Sequence, residues 1–588
     1  MGWTKNALSG TSQLIAFFTL LFTVVAISTT GCSLIAKLES LDAAAPPIPA
    51  AKLYPGASVP GAWTPTVNGV SSNLTKGTVT TSTQTYQKNG VGMIRFQDSW
   101  GPNEILVDLG NYDAANDFGY SGNSGNGSLT LTADTLNYPF QGGAYPVLTS
   151  FYVVDSVSNS SIEFVNLGPN CANGMWTCPS GICEPNPACP IASPSAYLNR
   201  DDWDQHQTPP YGYTSVNTFP HCDPSVGGWS TCPANMGSLP SGHYYAKYVL
   251  VSDRGIGLAG ATANLRVRTT AKKDTAARNF GPSNGTINLN VILVGDKNIN
   301  DSHTPKGAQN LNLLFQEANQ ILKAGNSNLS FGNITTYEWR DANGGDYVSQ
   351  IDYSLVGLLF ASGSQGVDQS SEANTINIFL VRDIEITGAN YSILGISGGV
   401  EGPLFNGFPS SGLVFGTDQS GGSQGVLSEF NPSCSLSSCP RDSQDGNFLE
   451  MGATIAHELG HYLGLNHPSE KVSFITDVQR HDPLSDTPTC APRAGPYLDQ
   501  LACYQDSTAQ LASAQKCSTA CDAASGGAYY IGTSKTVNYC PNTPECEFNH
   551  LMWYTTKQRS KGNGVWMEDG NQISPQSSAV IQWNPFVR

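Results

Sequence analysis

Residues 457–467 read His457-Glu458-Leu459-Gly460-His461-Tyr462-Leu463-Gly464-Leu465-Asn466-His467. Two histidines four residues apart project from one face of a helix. At that spacing their imidazoles suit a single zinc ion. Glu458 follows the first of them and is placed to take a proton from a water that the metal polarises. Gly464 stands where a left-handed residue would end the helix and turn the chain. His467 then brings a third nitrogen. Three protein nitrogens leave one tetrahedral position open to water, the layout of a catalytic zinc site and not of a closed structural one. A bare HExxH on a surface helix fixes three letters and arises by chance. The longer form found here fixes five, and each has a separate duty.

The elements that must hold these residues are also legible. Met451, Ile455, Leu459 and Leu463 recur at helical spacing, so an amphipathic helix can bury that stripe and present the ligands. Upstream, 287–294 is a strongly apolar strand, and Leu311, Leu314, Phe315, Ala318, Ile321 and Leu322 mark a second amphipathic helix. Residues 329–339 and 375–381 read as further strands. Residues 574–583, with Pro575 at a helix start, read as a closing helix.

Further along stands Asn549-His550-Leu551-Met552-Trp553-Tyr554. With the extended zinc motif it resembles the metzincin zinc endopeptidases, whose second hallmark is a methionine-bearing turn after the zinc helix. The resemblance implies that Met552 forms an apolar floor beneath the three histidines. It also implies that Tyr554 ligates the zinc or hydrogen-bonds the tetrahedral intermediate. Taken alone, Met552 reads as a core methionine. The run Asp482-Pro483-Leu484-Ser485-Asp486-Thr487-Pro488 and six cysteines between His467 and Met552 are similar to the pappalysin-like branch. Trp553 and Pro468-Ser469-Glu470 depart from that branch. The likeness covers mainly 449–555. It implies that 412–417 is the edge strand on which substrate lies, backbone to backbone. A plain sheet strand is the alternative reading there.

The chain has 588 residues, too many for one core. Net charge is −17 with only 13% charged residues, which argues against nucleic acid as a partner. Lys5 precedes the apolar run 14–27, too short to span a bilayer and shaped like a signal peptide. It ends in Gly31-Cys32, resembling a bacterial lipobox that would lipidate Cys32, although Thr29 stands where an aliphatic residue is usual. Ordinary signal cleavage and secretion is the alternative. There are 15 cysteines, and setting Cys32 aside leaves fourteen, an even number that disulfides could consume in an oxidising compartment. Cys171, Cys178, Cys183 and Cys189 could instead hold a second zinc, but they lack paired C-x-x-C spacing. The expected location is therefore a bacterial outer membrane or cell surface, or the medium. The membrane would be met through an N-terminal lipid anchor.

The expected organisation is multidomain: an N-terminal all-β sandwich, then a C-terminal α/β (α+β) metzincin-type zinc protease domain. Residues 1–32 read as the lipoprotein signal peptide and 33–60 as an Ala/Pro-rich tether. Residues 61–270 read as the sandwich with a Cys-rich insertion at 166–242, 271–285 as a linker, and 286–588 as the catalytic domain. Calcium is a second candidate cofactor. Asp442, Asp445 and Glu450 form one oxygen cluster, Asp296, Asn298, Asn300 and Asp301 another, and Asp482 and Asp486 a third. None follows full EF-hand spacing, and a solvated loop is the plainer reading of each.

The function expected from sequence is hydrolysis of peptide bonds in protein substrates, with zinc on His457, His461 and His467, Glu458 as base and Tyr554 at the oxyanion. One alternative is a surface adhesin or binding lipoprotein with a vestigial protease domain. The intact glutamate and histidines weigh against it. Another is a metal-dependent hydrolase of some other bond.

Overall fold

In a computed structural model of the chain, the described residues are 53–55, 79–89, 105–122, 124–125, 127–135, 145–166, 176–177, 184–185, 192–193, 196–198, 213–218, 239–251, 262–275, 284–294, 305–324, 328–339, 350–367, 375–381, 383–385, 394–416, 446–465, 469–471, 479–481, 527–530, 536–539, 551–552, 557–561, 564–568, 573 and 575–587. All of them belong to one compact unit, Pro49–Leu136 with Gly143–Arg588.

A short strand, β1 (Leu53–Pro55), comes first. Eight longer strands then build two antiparallel sheets: β2 (Val79–Asn89), β3 (Ile105–Tyr112), β4 (Ser128–Thr135), β5 (Tyr145–Asp155), β6 (Ser161–Asn166), β7 (Tyr213–Thr218), β8 (Gly242–Val251) and β9 (Thr262–Lys272). One sheet runs β2-β9-β4-β7 and continues into Ala196–Leu198 and Ala192–Ser193; the other runs β3-β8-β5-β6. Alternation explains the packing. Leu129, Leu131 and Ala133 of β4 and Val267 and Ala271 of β9 meet Val107, Leu109, Phe151, Val153, Tyr244 and Tyr248 of the other sheet in one core.

Several boundaries differ from the sequence expectation. Tyr213–Thr218, inside the stretch read as an insertion, is a full sheet member paired along β4. Its threonines, tyrosine and valine favour extended backbone, and the cysteines around it masked that signal. Ala271 and Lys272, assigned to a linker, finish β9. Leu53–Pro55, assigned to the tether, pairs antiparallel with 337–339 in a different sheet.

That second region starts at β10 (Asn284–Val294), followed by α1 (Pro305–Ala324), β11 (Asn328–Trp339), β12 (Gln350–Asp352), α2 (Val356–Gln365), β13 (Thr375–Val381), β14 (Asp383–Glu385), β15 (Gly395–Ser397), β16 (Leu413–Gly416), α3 (Gly446–Tyr462) and α4 (Pro575–Trp583). Its main sheet runs β1-β11-β10-β13-β16-β15, with the four central strands parallel and both edges antiparallel. Such strands need cover on both faces, and the second half of β10, Val291–Val294, is apolar on both. Ile287, Leu289, Val291 and Leu293 join α1, α3 and α4 in one core. Ile292 and Val294 join α2 in another.

Residues 413–416 are not the edge strand that the resemblance implies; the plain sheet-strand reading is the one that holds. They lie between β13 and β15 and are all buried. Leu-Val-Phe at three successive positions offers apolar side chains to both faces, which suits an interior strand and would leave an edge prone to aggregation. The edge is β15, half-buried along its length.

The outer face of the β2-β9-β4-β7 sheet is buried too. Ser128, Thr130, Thr132 and Thr270 are fully buried and Lys272 nearly so. Lys272 Nζ donates to the carbonyls of Gln582 and, at 3.3 Å, Asn584, and Ser128 Oγ donates to the carbonyl of Trp583. A cation thus meets the electronegative end of α4, where helix carbonyls lack partners of their own. Among the described residues no helix is long and apolar enough to cross a membrane.

Candidate metal centre

The zinc-type motif begins in α3. Met451, Ile455, Leu459 and Leu463 are buried in the core shared with α1 and α4, so the predicted stripe is the face that fixes the helix. The helix ends at Gly464, whose φ is +106°. Leu465 N–H donates to the Gly460 carbonyl at 2.9 Å and Gly464 N–H to the His461 carbonyl at 2.8 Å. These two bonds make a Schellman turn with glycine at the left-handed position. The chain therefore reverses right after the second histidine.

His457 and His461 stand with ring centroids 4.8 Å apart and planes at 88°. His461 is buried; His457 and Glu458 are half-buried. Nδ1–H of His457 donates to the Leu551 carbonyl at 2.7 Å, and Nδ1–H of His461 to the Leu465 carbonyl at 2.8 Å. A carbonyl only accepts, so each bond selects the tautomer with its proton on Nδ1. In the neutral ring Nε2 then carries the lone pair, which is how a metal-ligating imidazole is oriented.

Met552 is fully buried against this helix. A Cβ built on Gly460 would lie 2.3 Å from its sulfur. The second variable position of HExxH therefore has to be small for the methionine to pass. Leu551 and Met552 together supply a hydrogen-bond acceptor and an apolar wall to a helix 94 residues earlier in the chain. The motif gave no hint of either role for Leu551 and Gly460; both depend on how a distant turn docks.

Edge strand β15 lies beside the same helix. A Cβ on Gly395 would come within 2.9 Å of Thr454, three residues before His457. After β15 the chain runs through a buried segment, 400–406. There Gly402 N–H donates to the Tyr462 carbonyl at 2.9 Å, and Tyr462 Oη donates to the Pro403 carbonyl at 3.3 Å. Glu401 is buried and accepts from Asn584 Nδ2 at 2.9 Å. Burial pushes its carboxyl well above the usual carboxylate range.

Several residues named from sequence lie outside the described residues: His467, Tyr554, Cys32, every cysteine proposed for disulfides or a second zinc, and Asp296, Asn298, Asn300, Asp301, Asp442, Asp445, Asp482 and Asp486. Glu450 lies on α3, where its backbone alone is described. Among the described residues no three histidine, cysteine or acidic side chains gather as a metal site. The donor set that is described, two carbonyl-anchored imidazoles and a neighbouring carboxylate on one helix, fits zinc chemistry.

No family model matches the chain. No curated protein matches it either. Solved structures similar to it include a family two carbohydrate esterase from Cellvibrio japonicus, 9% identical over 51% of this chain and 68% of that one, with a TM-score of 0.09. A superposition of that quality carries no argument about fold or activity.

Proposed function

We propose that this chain is a zinc-dependent endopeptidase of metzincin type, on the pappalysin-like side, exported and anchored through a lipid on Cys32. The reading rests above all on the pair His457 and His461, each with Nδ1–H tied to a backbone carbonyl and Glu458 between them in sequence. His457, His461 and His467 would hold the metal. Zinc held there supplies Lewis acidity, which brings the pKa of a water toward neutrality and polarises a carbonyl.

Glu458 accepts a proton from the attacking water as the water's oxygen bonds to the scissile carbonyl carbon. It then delivers the same proton to the leaving nitrogen as the C–N bond breaks. Tyr554 would donate a hydrogen bond to the oxyanion. The half-buried edge β15 is a template on which an extended peptide can pair through its backbone, which favours a polypeptide substrate. Calcium at the acidic loops is a further proposal, with a structural role.

Zinc quantitation with a casein digest tests this reading. The expected result is one zinc per chain, cleavage that a chelator stops, and recovery on adding zinc. Chelator-resistant cleavage would overturn it. Zinc without cleavage of casein or of a peptide library would favour hydrolysis of another bond.

A further inference from the structure

The two-sheet module reaches the metal centre through one buried segment. On β9, Val267, Thr269 and Ala271 point into the module's own core, so Arg268, Thr270 and Lys272 face the other way, onto the helical region. Arg268 Nη1 donates to the Leu404 carbonyl at 2.6 Å, and its guanidinium lies 5.2 Å from the Phe405 ring centroid. Lys272 holds the Asn584 carbonyl, and the Asn584 amide holds Glu401. Both ends of 401–405 are thus tied back to one strand of the module.

Between those ties the segment lies flat on α3. A Cβ on Gly402 would come within 2.2 Å of the Tyr462 ring, so only glycine lets the backbone lie there. Its N–H caps the Tyr462 carbonyl, one of the terminal carbonyls that a helix leaves without an internal partner. Tyr462 directly follows His461, and His461 in turn takes its ring orientation from the Leu465 carbonyl on the same turn.

We infer that Arg268 is a positioning residue for the metal centre: it clamps segment 401–405 onto the last turn of α3, which orients His461. The inference rests on the zinc reading above. It makes the two-sheet module part of the site's framework. A lysine could replace the charge but not the planar donor stacked on Phe405.

The test uses the full-length chain as wild type, Arg268→Ala, Arg268→Lys and the control Lys247→Ala, which alters the outward face of the other sheet. Three quantities are read: hydrogen exchange of amides 459–465, zinc affinity by chelator competition, and kcat and KM on a peptide substrate. Arg268→Ala is expected to speed exchange in 459–465 and weaken zinc binding about tenfold, the size typical of losing a group that orients a metal ligand. It should lower kcat at constant KM. Arg268→Lys should fall between Arg268→Ala and wild type, and Lys247→Ala should match wild type. If Arg268→Ala does not fold, Arg268→Lys decides, and wild-type affinity and exchange there would overturn the inference. Faster exchange with unchanged zinc affinity would overturn it too, by reducing Arg268 to a structural residue. A wild type that binds zinc but cleaves no peptide would sink the peptidase reading, while exchange and affinity would still decide the role of Arg268. A wild type that binds no zinc would overturn both.

Discussion

Gly460→Ala is a sharp probe of how Met552 meets the histidine-bearing helix α3. In an open helix this change stabilises by about 1 kcal/mol, since alanine is the better helix former. Here the added Cβ would sit 2.3 Å from Met552 Sδ and 3.3 Å from its Cε. Overpacking of that kind costs about 1–3 kcal/mol, so the net change is a loss of up to about 2 kcal/mol. In a Met552→Ala background the clash is gone and Gly460→Ala should become stabilising. Met552→Ala itself should cost about 2–5 kcal/mol, because the side chain is fully buried. The coupling between the two positions is then about 1–3 kcal/mol, well above the error of a double-mutant cycle. Urea unfolding of the four proteins, followed by circular dichroism and tryptophan fluorescence, measures it. If Gly460→Ala stabilises equally with and without Met552, the methionine does not pack under the helix and the geometry of the site is refuted.

Two other outcomes follow from the same region. Gly464→Ala places a side chain at φ +106° and should destabilise by about 1–2 kcal/mol while weakening zinc binding, checked by thermal melts and chelator competition; an unchanged melt would contradict the Schellman turn. Glu401 holds its proton in the folded chain to a pH above its ordinary value of 4.5, because burial disfavours its charge. The unfolded chain releases that proton near the ordinary value. Between the two pKa values the folded state binds more protons, so this contribution is fully present below the unfolded pKa and fades as pH rises, at about 1.4 kcal/mol per pH unit. Glu401→Gln should flatten that slope and melt higher than wild type at neutral pH; parallel melting curves across pH would contradict it.

What could be read from the sequence follows the range of the interactions involved. Helix α3 declares itself through its apolar stripe, its histidine spacing and its terminating glycine, all of them local features. The helix at Pro305–Ala324 and the strands at Asn284–Val294 and Thr375–Val381 declare themselves by period in the same way. Sheet order does not. Nothing in residues 413–416 says that Gly395–Ser397 will pair outside them, and the assignment of the edge went wrong for that reason. Leu53–Pro55 is too short to carry a period and becomes a strand only because Asn328–Trp339 offers an open edge. The roles of Gly460, Gly402 and Arg268 are the least legible. Each is set by a side chain or carbonyl far away in sequence, namely Met552, Tyr462 and Leu404.

The most direct measurement compares wild type with Glu458→Ala for zinc content and for cleavage of a peptide library read by mass spectrometry. Glu458 carries the proton and holds no metal in the proposed mechanism. Both proteins should therefore contain one zinc, and only the wild type should cut, with losses of at least about a hundredfold in kcat for the variant. Undiminished cleavage by Glu458→Ala would contradict the mechanism at its centre.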